Sequence, residues 1–274
     1  QVAREKSVAD SKSGTTQSDG GSEASASGSG GNIGVAAALA LNVASSDAIA
    51  SIPGAVTIIA GEAGGTGDLT LAASNNMDAS AEADGSAAQG TAASGTAIGV
   101  AVAINVAGMR NEANIGAGAT ATGDNVSATA KMKDVGGDKK HAFGAKAISG
   151  ASGGDTGVGG SFALNISDTP TQAIAAGTIT TTGNLNLEAE NTSEANVEAK
   201  ASAKSGSTGV GVSIGINVVD NDTTAAIADG ATITTGGADI TLKADGSHDT
   251  TTTVESGGVA KDGTGIGGSI AITV

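Results

Sequence analysis

Gly209-Val210-Gly211-Val212-Ser213-Ile214-Gly215-Ile216-Asn217-Val218 carries an aliphatic side chain at every second position, with Gly, Ser or Asn between them. A period of two is the mark of an extended strand, whose successive side chains leave opposite faces. Neither face carries a charge. The segment is therefore expected to be covered on both sides, with the bulky face toward a core and the smooth face close to another sheet or chain; the alternative is a small face that is simply exposed, since small residues do not compel burial.

The same Gly-led pattern occurs five times. Its other copies begin at Gly34, Gly99, Gly157 and Gly265, and the position of Asn217 is held by Asn42, Asn105, Asn165 and Thr273, at spacings of 63, 60, 52 and 56 residues. Inward-pointing Asn at equivalent positions would extend a hydrogen-bonded amide ladder; otherwise these residues simply end an apolar strand beside a turn. Further strands are expected at Ala48–Ile52, Glu112–Ile115, Gln172–Ile174 and Thr224–Ile227, and at Leu69–Leu71, Val126–Ala128, Leu185–Leu187 and Ile240–Leu242. Gly67, Gly183 and Gly237 precede three of the latter, where an abrupt change of direction suits glycine.

A more polar strand comes before each Gly-led segment. Between Ala195 and Lys204, Ala and Val alternate with Asn, Glu, Ser and Lys, giving one slender apolar face and one wet face. Met77 to Gln89, His141 to Ser149 and Thr250 to Lys261 are related, and Ala24 and Ala26 begin the same element. Gly206 to Gly209 forms either a hairpin or a corner in a continuing coil. Alanine favours helix, but strict alternation with abundant Gly, Ser and Thr favours strand.

Composition agrees with a narrow all-β structure. There are 45 Gly, no Trp, no Tyr and only Phe143 and Phe162 among aromatics, so a wide core would lack large fillers. Mean hydropathy of +0.08 separates the chain from charged, apolar-poor disordered sequences. These features predict an elongated parallel β-helix, or β-solenoid, built from irregular repeats of 52 to 63 residues. Residues 1–274 read as one repetitive segment of a longer protein, with units 1–75, 76–131, 132–190, 191–245 and a partial 246–274. The partners expected from this are flanking repeats of the same protein and lateral self-association through the smooth face.

The Gly99-Val100-Ala101-Val102-Ala103-Ile104-Asn105-Val106 strand, the turn from Ile227 to Ile233 and the strand from Leu185 to Ala189 resemble the repetitive passenger regions of large bacterial surface proteins. Filamentous-haemagglutinin-like adhesins and autotransporter-type exoproteins are the families meant. The resemblance spans most of the chain and is one of repeat style. It implies a right-handed parallel β-helix, a cell-surface or secreted location, and display or extension of adhesive regions, with host-surface glycans or proteins as partners. It supplies no binding motif to transfer to residues of this chain.

Chemistry is sparse. Formal charge is −15, from 13 Lys+Arg against 28 Asp+Glu, which disfavours nucleic acid and anionic membrane; no direct membrane insertion is expected. The basic run Lys131, Lys133, Lys139, Lys140 and His141, broken by Asp134 and Asp138, reads as a solvated loop or a partner contact. Cys is absent. His141 and His248 belong to no zinc or hydrolase motif and are expected to be exposed in variable segments. Glu188, Glu190 and Glu198 are the carboxylates a polysaccharide-acting β-helix enzyme would use, but alternation places them on a wet strand face. No catalytic, cofactor-binding or metal residue is assigned and no enzyme is predicted. Incidental calcium is the one ion considered, at the acidic turns Asp19-Gly20-Gly21, Gly153-Gly154-Asp155 and Asp262-Gly263. Glycosylation motifs start at Asn125, Asn165, Asn191 and Asn221, of which Asn165 falls inside an apolar strand. The functional expectation is a structural stalk or presentation segment of an adhesin. A self-assembling matrix or filament component and a polysaccharide-acting enzyme are the alternatives.

Overall fold

The computed structural model describes residues 22–28, 33–61, 66–89 and 94–274. The described residues form strands in three sheets and no helix. Among the described residues every strand pairing within the sheets is parallel, and the one antiparallel contact is an isolated bridge between Val135 and Asp138.

The polar sheet contains β1 (Ser22–Gly28), β4 (Leu69–Asn75), β5 (Asp78–Gln89), β8 (Val126–Met132), β9 (His141–Ser152), β13 (Leu185–Ser205) and β17 (Ile240–Ala260). The glycine-led sheet contains β2 (Ile33–Ile52), β6 (Thr96–Ile115), β10 (Thr156–Asp168), β11 (Thr171–Ala175), β14 (Thr208–Asp220), β15 (Thr223–Ile227) and β18 (Thr264–Thr273). A short sheet holds β3 (Thr57–Ile59), β7 (Thr120–Gly123), β12 (Thr178–Thr181) and β16 (Thr232–Thr235). The chain visits the glycine-led, short and polar sheets in that unvarying order.

The five Gly-led strands are neighbours, ordered β2, β6, β10, β14, β18, and equivalent residues stand opposite one another. The residues after them are partly absorbed: Ala48–Ile52 and Glu112–Ile115 continue β2 and β6 without a break, whereas β11 and β15 are separate strands. The connection at Gly206 and Ser207 is a corner and not a hairpin. It leads from β13 in the polar sheet to β14 in the glycine-led sheet, and its Gly206 N–H bonds Gly154 O in the equivalent corner at 2.9 Å. The short sheet had no counterpart in the strand assignment from sequence, although Thr-Ile-Thr-Thr recurs at 178–181 and 232–235.

The interior tapers. At its wide end Ile52, Leu71, Ile115, Val126, Ile179, Leu185 and Leu187 pack among all three sheets. Next come Met77, Met109 and Phe143, and then a thin layer almost wholly of Ala, including Ala81, Ala101, Ala147, Ala163 and Ala199, between the polar and glycine-led sheets. At the narrow end even a methyl group is too large. A Cβ on Gly99 would lie 2.0 Å from Gly150 O, and one on Gly85 would lie 1.8 Å from Val100 O. Close packing therefore selects the residue size at each depth.

The taper reverses the facing expected for the Gly-led strands. In β6 the buried parity is Ala97, Gly99, Ala101, Ala103, Asn105 and Ala107, and the bulky parity from Ile98 to Val106 points outward. Two sheets this close admit only small side chains between them, so the larger aliphatics take the other face. Consequently the smooth face is interior and is not open to another chain.

The amide ladder is present. Asn42 Nδ2 donates to Asn105 Oδ1 at 2.8 Å, Asn105 to Asn165 at 2.7 Å and Asn165 to Asn217 at 2.9 Å. At the top of the column Asn217 Nδ2 donates across to the polar sheet, to Ala195 O at 3.0 Å. Ser161 and Ser213 form a shorter rung, Oγ to Oγ, at 2.9 Å.

Candidate interaction surface

The outward parity of the glycine-led sheet builds an aliphatic face. Strand register sets its residues in rows: Val35, Ile98, Val158, Val210 and Ile266; Leu39, Val102, Phe162, Ile214 and Ile270; Leu41, Ile104, Leu164, Ile216 and Ile272. Between the first two runs a row that alternates in size: Ala37, Val100, Gly160, Val212 and Gly268. Its valines stand proud, Val100 at 38% and Val212 at 46% exposure, whereas the space a Cβ would occupy at Gly160 or Gly268 is open. No charged residue interrupts 33–46, 96–109, 156–167, 208–219 or 264–274. Charge begins at one border with Asp47, the Arg110–Glu112 ion pair at 2.7 Å, Asp168 and Asp220. Partial burial, and secondarily the neighbouring Asp220, raises the Asp168 carboxyl above the usual aspartate range.

The outer face of the polar sheet is charged and self-compensating. Glu188 lies between Lys131 at 2.6 Å and Lys243 at 3.1 Å, from the repeats on either side, and these ammonium groups, Lys131 first, hold its carboxyl below the usual range. Glu198 pairs with Lys200 at 2.6 Å, Glu82 with Lys146 at 2.7 Å, and Lys140 with Glu194. Glu190 is half-buried on the same outward parity. The acidic candidates are thus a laced, solvated surface, whose solvent-screened pairs add little to stability. The basic run is divided: Lys131, Lys139 and Lys140 are in ion pairs on the surface, whereas His141 is not on the surface at all.

That placement corrects the expectation of an exposed His141. The ring is fully buried at the start of β9, its Nδ1 accepts the Met77 N–H at 2.9 Å, and it stacks near Phe143 with centroids 6.1 Å apart. Desolvation lowers its pKa to about 4, so it is neutral at physiological pH. His248 is exposed as expected, although its Nδ1 lies 2.9 Å from Ser193 Oγ and desolvation lowers its pKa. Register aligns His141, Ser193 and His248 in one column of the polar sheet. Ser193 is itself buried and also within 3.2 Å of Asn221 Oδ1, so the column serves as a polar seam between the Leu/Ile and Met/Phe layers. The buried Asn191 belongs to this seam, donating to Thr169 O at 2.8 Å. Asn165 is buried in the amide ladder, whereas Asn125 makes a surface hydrogen bond to Asp68 Oδ1 at 2.9 Å. Asn221 is half-buried.

Among the described residues no three acidic or imidazole groups gather as a metal site. Asp155 O accepts the N–H groups of Ser207 and Thr208, both at 2.9 Å, and Asp262 N–H bonds Gly206 O at 2.9 Å, so these acidic turns hold successive corners together. The turn at Asp19 lies outside the described residues. Compared with family models, curated proteins and solved structures, the chain matches none.

Proposed function

We propose that this chain is a right-handed β-solenoid segment that serves as a structural and presentation element of a bacterial cell-surface or secreted adhesin. The observation that carries this reading is the in-register stack of five Gly-led strands with one Asn column running through it. A chain that returns to the same three sheets in fixed order adds one strand per sheet with each circuit, and its stability grows by nearest-neighbour contacts. The adhesive part of the proposal comes from the repeat style of strands such as Gly99 to Val106. Bacterial export belongs to that same resemblance.

The test is to array the purified chain against host glycans and extracellular-matrix proteins, and in parallel to incubate it with acidic polysaccharides. A folded, protease-resistant chain without polysaccharide turnover is expected, and array binding would add direct adhesion to presentation. Turnover by the pure chain would replace this reading with a β-helix enzyme.

A further inference from the structure

The aliphatic face of the glycine-led sheet is unused by a presenting element. We propose that it pairs face to face with the same face of a second copy of this chain. Five strands about 4.8 Å apart and nine residues of about 3.3 Å each give an apolar rectangle of roughly 700 Å², of which the four strands β6, β10, β14 and β18 make up roughly 570 Å². Stable protein pairs bury roughly 600 to 1,000 Å² per partner, so a four-strand overlap, with the added relief of its side chains, comes close to the lower end of that range. Its polar border and charge-free centre are the anatomy of a protein interface.

The relief of the face selects the partner. The row Ala37, Val100, Gly160, Val212, Gly268 alternates small and large from strand to strand. A two-fold axis parallel to the strands and midway between β10 and β14 carries Val212 of one copy over Gly160 of the other, and Val100 over Gly268. Each projecting valine then meets a position where the space beyond the glycine is open. Such self-complementarity is what an isologous dimer requires. A lipid surface fits less well, since the chain has neither Trp nor Tyr for the interface, and its net charge is −15. The same axis sets Asp168 of one copy against Asp220 of the other, so screening by salt strengthens the pairing.

The experiment is sedimentation velocity on the whole chain over a concentration series, with circular dichroism melts of each variant. Concentration-dependent dimer is expected, increasing with salt. Val212→Asp should weaken association at least ten-fold. Gly160→Val should also weaken it at least ten-fold while leaving the melting temperature equal or higher, because the added side chain fills the partner's slot and not this copy's core. A chain that stays monomeric at its highest soluble concentration overturns the proposal, and a monomer that floats with phosphatidylcholine vesicles assigns the face to lipid. A Gly160→Val protein that dimerises normally overturns the two-fold geometry.

Discussion

A buried carboxamide has a donor and an acceptor side to satisfy at once, and a column of identical residues in register satisfies both for every interior member. Asn165 accepts from Asn105 and donates to Asn217. Asn165→Ala therefore leaves two neighbours unpaired in a dry site and should cost about 2 to 4 kcal/mol in urea unfolding, against about 1 kcal/mol for Asn42→Ala at the half-buried end of the column. Equal losses would show that the ladder does not act as a unit. His141 gives a second prediction at this scale. Unfolded, it takes up a proton near pH 6.5; folded, only near 4. Its contribution is whole above pH 6.5 and is lost as pH falls toward 4, a decline of about 3 kcal/mol. His141→Asn keeps an acceptor for the Met77 N–H and should flatten the wild-type slope in that window, measured by chemical denaturation at stepped pH. The lowered pKa of His248 acts in the same direction and accounts for part of the slope that remains.

At the scale of elements, glycines in the same strands have opposite meanings. Gly99→Ala puts a methyl group into Gly150 O of the facing sheet and should destabilise by at least about 2 kcal/mol. Gly160→Ala points into open space and should be neutral or stabilising by about 0.5 kcal/mol, since glycine is a poor strand residue. Paired melts of the two variants check the taper directly. The alternation that defines these strands was legible in the sequence, and so were their repetition and mutual register. Which parity faces inward was not, because hydrophobicity argues for burying Val and Ile, while the decision belongs to the distance between sheets. A signal did exist: the slender parity of the polar strand from Ala195 to Ala203, Ala at every position but Val197, is the natural mate of a Gly/Ala parity opposite. The short sheet is not legible in the sequence because strands of three or four residues hardly establish a period. A variable segment and the absence of any motif argue for an exposed His141, but it is the first residue of β9 and takes the buried parity of that strand.

For the whole molecule, equivalence between units has an operational meaning. Val158 and Val210 stand opposite each other, so deleting residues 158–209 joins Gly157 to a residue that follows an equivalent glycine. The shortened chain should fold cooperatively, with a lower melting temperature and unchanged strand signature, whereas removing about half as many residues from the same point should abolish folding. Circular dichroism and limited proteolysis distinguish these outcomes. A shortened chain that melts in separate steps would mean that the units are not interchangeable.

The length of the strands bears on reach. β2 and β6 have 20 residues each and β13 and β17 have 21, contours of about 65 to 70 Å, yet each full circuit raises the stack by a single strand spacing of about 4.8 Å. A thousand residues of this pattern would climb only on the order of 80 Å. A tether made this way is extravagant in protein for the distance it covers, but every added circuit extends a continuous sheet of surface tens of ångströms broad. The architecture is that of panelling, in which more chain yields area before it yields height.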